Sequence, residues 1–161
     1  MLGGEQFVAA WLGCIRCHYV LWTKGVRHND PSLANLMLRR TNDRYYGVMN
    51  DWDLATVVGE SPDTKRGVLT GTVPFMAQDE LFKLAVKQSD TRIYRYDLEA
   101  FVWILLWVCV RYQDTRLLLN PELSHWKSFD FGGIASSKQA YIDHEWRERH
   151  AVRPTKSWEN E

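Results

Sequence analysis

The chain has 161 residues, of which 45% are hydrophobic and 8 are tryptophan. This length and composition indicate one globular domain rather than a disordered segment. The 20 basic and 20 acidic residues give a formal net charge of zero, and the three cysteines are an odd number. A nucleic-acid partner bound through a basic face and a secreted disulfide framework are therefore not expected.

Neither the N-terminus nor the longest apolar run predicts export or a membrane span. Residues 1–5 carry no basic region and no secretory cleavage pattern. The apolar run over residues 100–110 is shorter than the roughly 20 residues that a transmembrane helix needs. We therefore expect an intracellular protein, cytoplasmic or nuclear, that does not associate with a membrane.

The first predicted element is a helix over residues 5–23, which the stop signal Lys24-Gly25 would end. It contains Cys14-Ile15-Arg16-Cys17-His18, the spelling of a c-type haem attachment motif. These residues follow the helical pattern, and no second Cys or His pair stands at metal-site spacing. We interpret the two cysteines as core or half-buried helix residues rather than as haem or zinc ligands.

A β-hairpin is predicted after a polar loop in which Pro31 prevents helix continuation. The pattern predicts a short buried strand over 36–38, a turn over 39–44 and a second strand over 45–50. Asn35 would precede the first strand and Asp51 would follow the second. The hairpin therefore brings both residues to the same end, as a shared metal ion requires.

The remainder of the chain is predicted to be mainly helical. In chain order, the pattern predicts a polar loop over 55–68, a turn-rich segment over 70–77, a short helix over 79–86, a central buried helix over 97–112, and weaker helices over 117–126 and 134–144. Asp97 would cap backbone amides at the start of the central helix. Residues 1–145 would thus form a mainly α (α+β) domain with one two-stranded hairpin, and the charged residues 146–161 a poorly ordered tail.

Four motifs, in this order, resemble those of a known family. They are Gly25-Val26-Arg27-His28-Asn29-Asp30-Pro31-Ser32-Leu33-Ala34-Asn35, Asn50-Asp51-Trp52-Asp53-Leu54-Ala55, Gly71-Thr72-Val73-Pro74-Phe75-Met76-Ala77 and Tyr96-Asp97-Leu98-Glu99-Ala100-Phe101. Together they resemble the fungal-type protein kinases over residues 21–112, and more loosely to 141. For residues 1–145 the resemblance implies a protein-kinase-like C-terminal lobe whose hairpin carries the catalytic and metal-binding motifs.

The resemblance implies ATP- and Mg²⁺-dependent transfer of a phosphoryl group to a Ser or Thr of a protein substrate. Asp30 would be the catalytic base that faces the acceptor hydroxyl, and Asn35 and Asp51 would hold magnesium and, through it, the nucleotide. His28 and Asp97 would support the catalytic loop, and Asp97 would do so by hydrogen-bonding its backbone. Taken singly, Asp30 could instead be a turn residue, Asn35 a loop cap and Asp51 a strand-end carboxylate.

The segment that includes Gly71, Thr72 and Pro74 resembles the part of a kinase that receives the acceptor peptide. Thr72 would touch Asp30 and position it, although a turn threonine is an equal reading. Asp79 stands at the site of the glutamate that ends the activation segment in the family.

The chain departs from the general kinase pattern in three ways. Asn29 replaces the arginine that pairs with a phosphorylated activation loop, and Ser32 replaces a phosphate-neutralising lysine. No Gly-rich phosphate loop, strand lysine with a helix glutamate or hinge precedes Glu5. We therefore expect the N-terminal lobe to be absent and transfer by this chain alone to be very slow, because catalysis needs preorganised, desolvated groups.

Three functions remain open at this point. The chain could be a catalytic lobe whose partners are a protein substrate and an N-terminal lobe supplied elsewhere, or a non-catalytic remnant that binds partners. It could also be a small-molecule kinase of the aminoglycoside or choline type, which shares the His-x-Asp-x-x-x-x-Asn pattern. The segment 71–77 argues against this third reading, because such enzymes need no peptide-binding segment of that form.

Overall fold

Helices predominate in the computed structural model, which describes residues 4–42, 44–59, 71–88, 92–143 and 154–158. The helices are α1 (Gly4–Thr23), α2 (Gln78–Ala85), α3 (Tyr94–Arg111) and α4 (Phe131–Ile142). The strands are β1 (Val26–Arg27), β2 (Leu36–Thr41), β3 (Arg44–Met49), β4 (Thr56–Val57), β5 (Tyr112–Gln113) and β6 (Arg116–Leu117). They pair antiparallel as β1–β4, β2–β3 and β5–β6. The described residues thus hold three short ribbons where the sequence predicted one.

Helix α1 ends where the sequence predicted, because Gly25 adopts a left-handed φ of 82° and the chain turns into β1. The helix then packs on the β2–β3 hairpin with backbone almost touching backbone. A Cβ atom on Gly47 of β3 would lie 1.8 Å from the carbonyl oxygen of Ala10. Only glycine fits this contact, and it fixes the hairpin against α1.

Helix α3 forms the centre of the core, as its all-round hydrophobicity predicted. Phe101, Ile104 and Val108 are completely buried, and Trp103 is nearly so. The Nε1 of Trp11 in α1 donates to the carbonyl of Phe101 at 3.0 Å, which ties the two helices together. The helix begins at Tyr94 rather than at Asp97, so Asp97 is not its N-cap; Ile93 holds that position.

The predicted turn at 39–44 was too long, because the β2–β3 ladder continues until Thr41 pairs with Arg44. Arg39 and Arg40 therefore lie in the strand, opposite two tyrosines, and the Arg40 guanidinium lies 5.9 Å from the ring of Tyr45. The aliphatic part of an arginine side chain can pack across an aromatic ring while its charged end stays in water. Two arginines are therefore compatible with the solvent-exposed end of β2.

The predicted helix at 117–126 was wrong. The chain forms β6 and then a 3-10 turn, Ser124–Lys127, because Pro121 interrupts helical bonding and Leu123 has a left-handed φ of 58°. Trp126 of this turn is fully buried. Its side chain, rather than helical periodicity, anchors the segment to the core.

The predicted loop over 55–68 begins with β4, and its residues from 60 onward lie outside the described ranges. The predicted tail over 146–161 also falls mostly outside them. Within residues 154–158, Thr155 bonds to the carbonyls of Cys109 and Tyr112, and the Trp158 ring lies 5.7 Å from that of Phe7. None of the helices in the described ranges has the length and apolarity needed to cross a bilayer.

Candidate active site

The loop between β1 and β2 is organised around His28, which is fully buried. Its Nε2 donates to the carbonyl of Asn50 at 2.9 Å, and its Nδ1 accepts from the backbone N–H of Asp30 at 3.3 Å. This pairing requires the neutral imidazole with its proton on Nε2. Burial lowers the pKa of His28, which favours that neutral form. His28 therefore joins the Asp30 loop to the end of β3.

The Asp30 carboxylate is held by segment 71–77 and by its own loop. One oxygen accepts from the backbone N–H of Thr72 at 2.7 Å, and the other lies 3.2 Å from the Thr72 hydroxyl. The Asn35 amide donates to the Asp30 carbonyl at 3.0 Å and approaches its carboxylate at 3.4 Å. The predicted contact between Thr72 and Asp30 is thus present. A carboxylate fixed in this way is suited to accept a proton from a neighbouring hydroxyl.

Asn35 and Asp51 come to the same end of the hairpin, as the sequence predicted. The backbone N–H of Asn50 donates to the carbonyl of Asn35 at 2.9 Å, so Asp51 follows directly after the residue that pairs with Asn35. Asp51 is exposed and has a left-handed φ of 59°, which turns the chain sharply at the end of β3. Their predicted role as metal ligands stays a prediction.

The donor set of this site suits a magnesium ion that shares its coordination with phosphates. Asn35 uses its side-chain nitrogen in the bonds to Asp30, so its side-chain oxygen is the atom that would bind a cation, and Asp51 offers an exposed carboxylate. Among the described residues there is no cluster of three or more His, Cys, Asp or Glu side chains placed to hold a metal. Mg²⁺ usually binds one or two protein oxygens together with substrate phosphates and water, so such a cluster is not required.

Asn29 makes contacts that sequence reasoning missed. Its side-chain amide donates to the carbonyl of Leu54 at 2.8 Å and to the hydroxyl of Thr56 at 3.1 Å, and its φ is 69°. Asparagine tolerates this left-handed conformation better than most residues. Asn29 therefore joins the Asp30 loop directly to the chain that follows Asp51. In the sequence, the one indication of this contact was that an asparagine stands beside Asp30 in a tight loop.

The segment 71–77 runs past Asp30 and ends at α2. Pro74 lies in a 3-10 turn, Val73–Phe75, that presents Thr72 to the Asp30 carboxylate. A Cβ atom on Gly71 would lie 3.2 Å from the Met76 side chain, so a larger residue would crowd the start of the segment. The predicted members Gly71, Thr72 and Pro74 thus belong to one continuous stretch beside Asp30.

Asp79, which stands at the position of the family's segment-ending acid, does not make the buried contacts at the end of this segment. Asp79 is half-buried, and its carboxylate pairs with Arg95 at the surface. Glu80 is buried instead; it accepts from the backbone N–H of Ala77 at 3.1 Å and pairs with Arg92 at 2.9 Å. Burial raises the pKa of Glu80, and the Arg92 guanidinium opposes that rise. Two adjacent acids in a short helix cannot be told apart until it is known which of them faces the core.

Asp97 is completely buried in the first turn of α3, where it joins α1 to Arg92. Its carboxylate lies 2.7 Å from the Nε2 of His18 and 2.6 Å from an Arg92 nitrogen. Burial alone would raise the pKa of Asp97, but His18 and Arg92 outweigh that effect and hold the pKa below its usual range. The described contacts of the Asp97 carboxylate are thus with His18 and Arg92 and not, as the resemblance implied, with the backbone of the Asp30 loop.

The cysteines of α1 lie in the helix as predicted: Cys14 is buried and Cys17 half-buried. Burial raises the pKa of Cys14 to about 12, so this thiol is protonated at neutral pH. His18 faces Asp97 rather than the cysteines. The arrangement is that of helix residues in a packed core.

Comparison with known families identifies the chain. The family model described as fungal protein kinase matches residues 4–109, a range that contains α1, the Asp30 loop, the hairpin and segment 71–77. The chain belongs to the fungal protein kinase family. No curated protein matches the chain. Membership of this family indicates a kinase-like protein and, in general, the use of ATP and Mg²⁺.

Proposed function

We propose that this chain provides the catalytic face for transfer of the γ-phosphoryl group of Mg-ATP to a Ser or Thr hydroxyl of a protein. The observation that carries the proposal is the Asp30 carboxylate, which Thr72 holds and the Asn35 amide approaches, beside a segment that resembles the acceptor-binding one. Asp30 would accept the proton of the acceptor hydroxyl as the phosphoryl group arrives.

Asn35 and Asp51 would hold the magnesium ion, which neutralises charge on the phosphates during transfer. The hydrogen bond from His28 to the carbonyl of Asn50 supports this arrangement, because it joins the Asp30 loop to the residue that precedes Asp51. Asp51 is exposed, so water competes for it, and charge interactions are weak in water. We therefore expect slow transfer by the 161-residue chain, and faster transfer when a nucleotide-covering lobe is present.

The test is incorporation of radiolabelled phosphate into dephosphorylated casein by the purified chain with Mg-ATP. Asp30→Asn should reduce the rate by about 10²–10⁴-fold, as expected for loss of a general base. Asp114→Asn is the matched control, because Asp114 is exposed on the β5–β6 turn, and it should leave the rate unchanged. Calorimetric titration should show that Asp51→Asn weakens binding of Mg-ATP.

The alternatives give different outcomes in the same assay. Phosphate transfer to kanamycin or choline but not to casein would indicate the small-molecule kinase. Absence of both Mg-ATP binding and transfer would overturn the proposal and favour a remnant that acts by binding partners. Transfer that is equally fast in Asp30→Asn would show that Asp30 is not the base.

A further inference from the structure

A lysine in the core makes a contact with the acceptor-binding segment that the proposed reaction leaves unexplained. Lys138 of α4 is 0% exposed, and its Nζ donates to the backbone carbonyl of Met76 at 2.6 Å. Burying an ammonium group costs free energy unless the site supplies partners for its charge. The surroundings of Lys138 supply such partners.

Two indole rings lie against this ammonium group, and two carboxylates act on it electrostatically. Its Nζ lies 4.8 Å from the Trp103 ring centroid and 4.9 Å from that of Trp126, within the range of cation–π attraction. Burial lowers the pKa of Lys138 from 10.5 to about 7, and Glu99 of α3 and Glu80 of α2 oppose the fall.

The 3-10 turn that carries Trp126 brings one further titratable group close to this site. His125 contacts the hydroxyl of Ser137, the residue that precedes Lys138 in α4, at 3.0 Å. A pH dependence measured at Lys138 must therefore be separated from any contribution of His125.

Buried ionisable side chains hydrogen-bond the Met76–Ala77 peptide unit on both sides. Lys138 binds its carbonyl, and Glu80 accepts from its N–H at 3.1 Å. The next N–H, that of Gln78, donates to Glu99 at 2.7 Å. An amide plane that is hydrogen-bonded on both sides has one orientation, so these three side chains fix the C-terminal end of segment 71–77. Asp30 holds the same segment near its other end, at Thr72.

We propose that Lys138 is a positioning residue for the acceptor: by holding the Met76 carbonyl it fixes segment 71–77 in the conformation that binds the acceptor protein. This inference rests on the proposed function, because it assigns to that segment the acceptor of the same reaction. An apolar side chain of similar length would fill the space between the indoles, but it would leave the carbonyl unbound and the peptide plane able to turn.

The test compares Lys138→Met with Lys127→Met, a matched control at an exposed lysine on the 3-10 turn. Amide hydrogen exchange of the 161-residue chain should become at least about ten-fold faster within residues 72–78 in Lys138→Met, while exchange in α3 stays unchanged. In the casein assay the KM for casein should rise several-fold, with little change in the KM for Mg-ATP. Lys138→Gln, which keeps a shorter N–H donor, should restore part of both effects.

Each outcome supports or overturns the inference. Unchanged exchange within residues 72–78, or equally faster exchange throughout α3, would overturn it, because Lys138 would then be unimportant or only a general core residue. If Lys138→Met does not fold, the exchange and the KM values of Lys138→Gln against wild type decide. If the wild-type chain transfers no phosphate, the proposed function fails, whereas the exchange measurement still decides whether Lys138 fixes the segment.

Discussion

Replacing Gly47 by alanine should move the β2–β3 hairpin away from α1. The added Cβ would lie 1.8 Å from the carbonyl oxygen of Ala10 and 2.8 Å from the sulfur of Cys14. Real Cβ contacts are essentially never shorter than 3.0 Å, so strand and helix must move apart by more than 1 Å. The obstacle is backbone, which cannot rotate out of the way as a side chain can.

The cost follows from overpacking and from lost contacts. Overpacking of a well-packed site costs about 1–3 kcal/mol, and a gap of up to 1 Å forfeits as much as half of the dispersion energy of the atoms lining it. We expect a loss of about 3 kcal/mol, a large part of the roughly 5–15 kcal/mol that stabilises a typical domain. For a chain of this size the melting temperature should fall by roughly 6–12 °C.

Thermal and urea unfolding followed by tryptophan fluorescence and circular dichroism would measure this loss. Gly132→Ala in α4 is the matched control, because its Cβ would meet only the Ala85 side chain at an ordinary 3.7 Å. That variant should be neutral or gain up to about 1 kcal/mol from the lower entropy of its unfolded chain. If Gly47→Ala melted within 2 °C of the wild type, α1 and β3 would not be in backbone contact and the packing argument would fail.

Three further predictions concern the core, the site and the buried lysine. Ile104→Ala should cost about 2–5 kcal/mol in urea unfolding, because the residue is 0% exposed, whereas Val102→Ala on the exposed face of α3 should cost less than about 0.5 kcal/mol; equal costs would contradict the orientation of α3. Thr72→Val should lower the free energy of unfolding by about 1 kcal/mol, because the hydroxyl contact with Asp30 is lost while the backbone bond remains; no change in urea unfolding would show that the contact is absent in solution. Between about pH 7 and 10.5 Lys138 is protonated in the unfolded chain and neutral in the folded one, so the free energy of unfolding of the wild type should rise with pH relative to that of Lys138→Met. The slope should be at most about 1.4 kcal/mol per pH unit, and the difference between the two proteins should be constant below about pH 6. Parallel stability curves for the two proteins between pH 7 and 10 would contradict this.

Local order along the chain was enough to predict much of the candidate site. The spacing of Asp30 and Asn35 and the hairpin that leads to Asp51 place these residues at one end of one ribbon, and the structure has that ribbon. The central helix was also predictable, because an apolar run on all faces has no stable place except the core. Both features depend on residues that are close in sequence or on burial alone.

The sequence by itself predicted the β2–β3 hairpin, the central helix and the family. The tertiary structure alone decided which polar groups pair in the core. His18 and Asp97 are 79 residues apart, and Lys138 and Met76 are 62 apart. It also decided that Glu80 rather than Asp79 makes the buried contacts at the end of segment 71–77. The physical reason is that a buried charge must find a partner wherever the packed chain brings one, and the pattern of neighbouring residues does not specify a partner that distant.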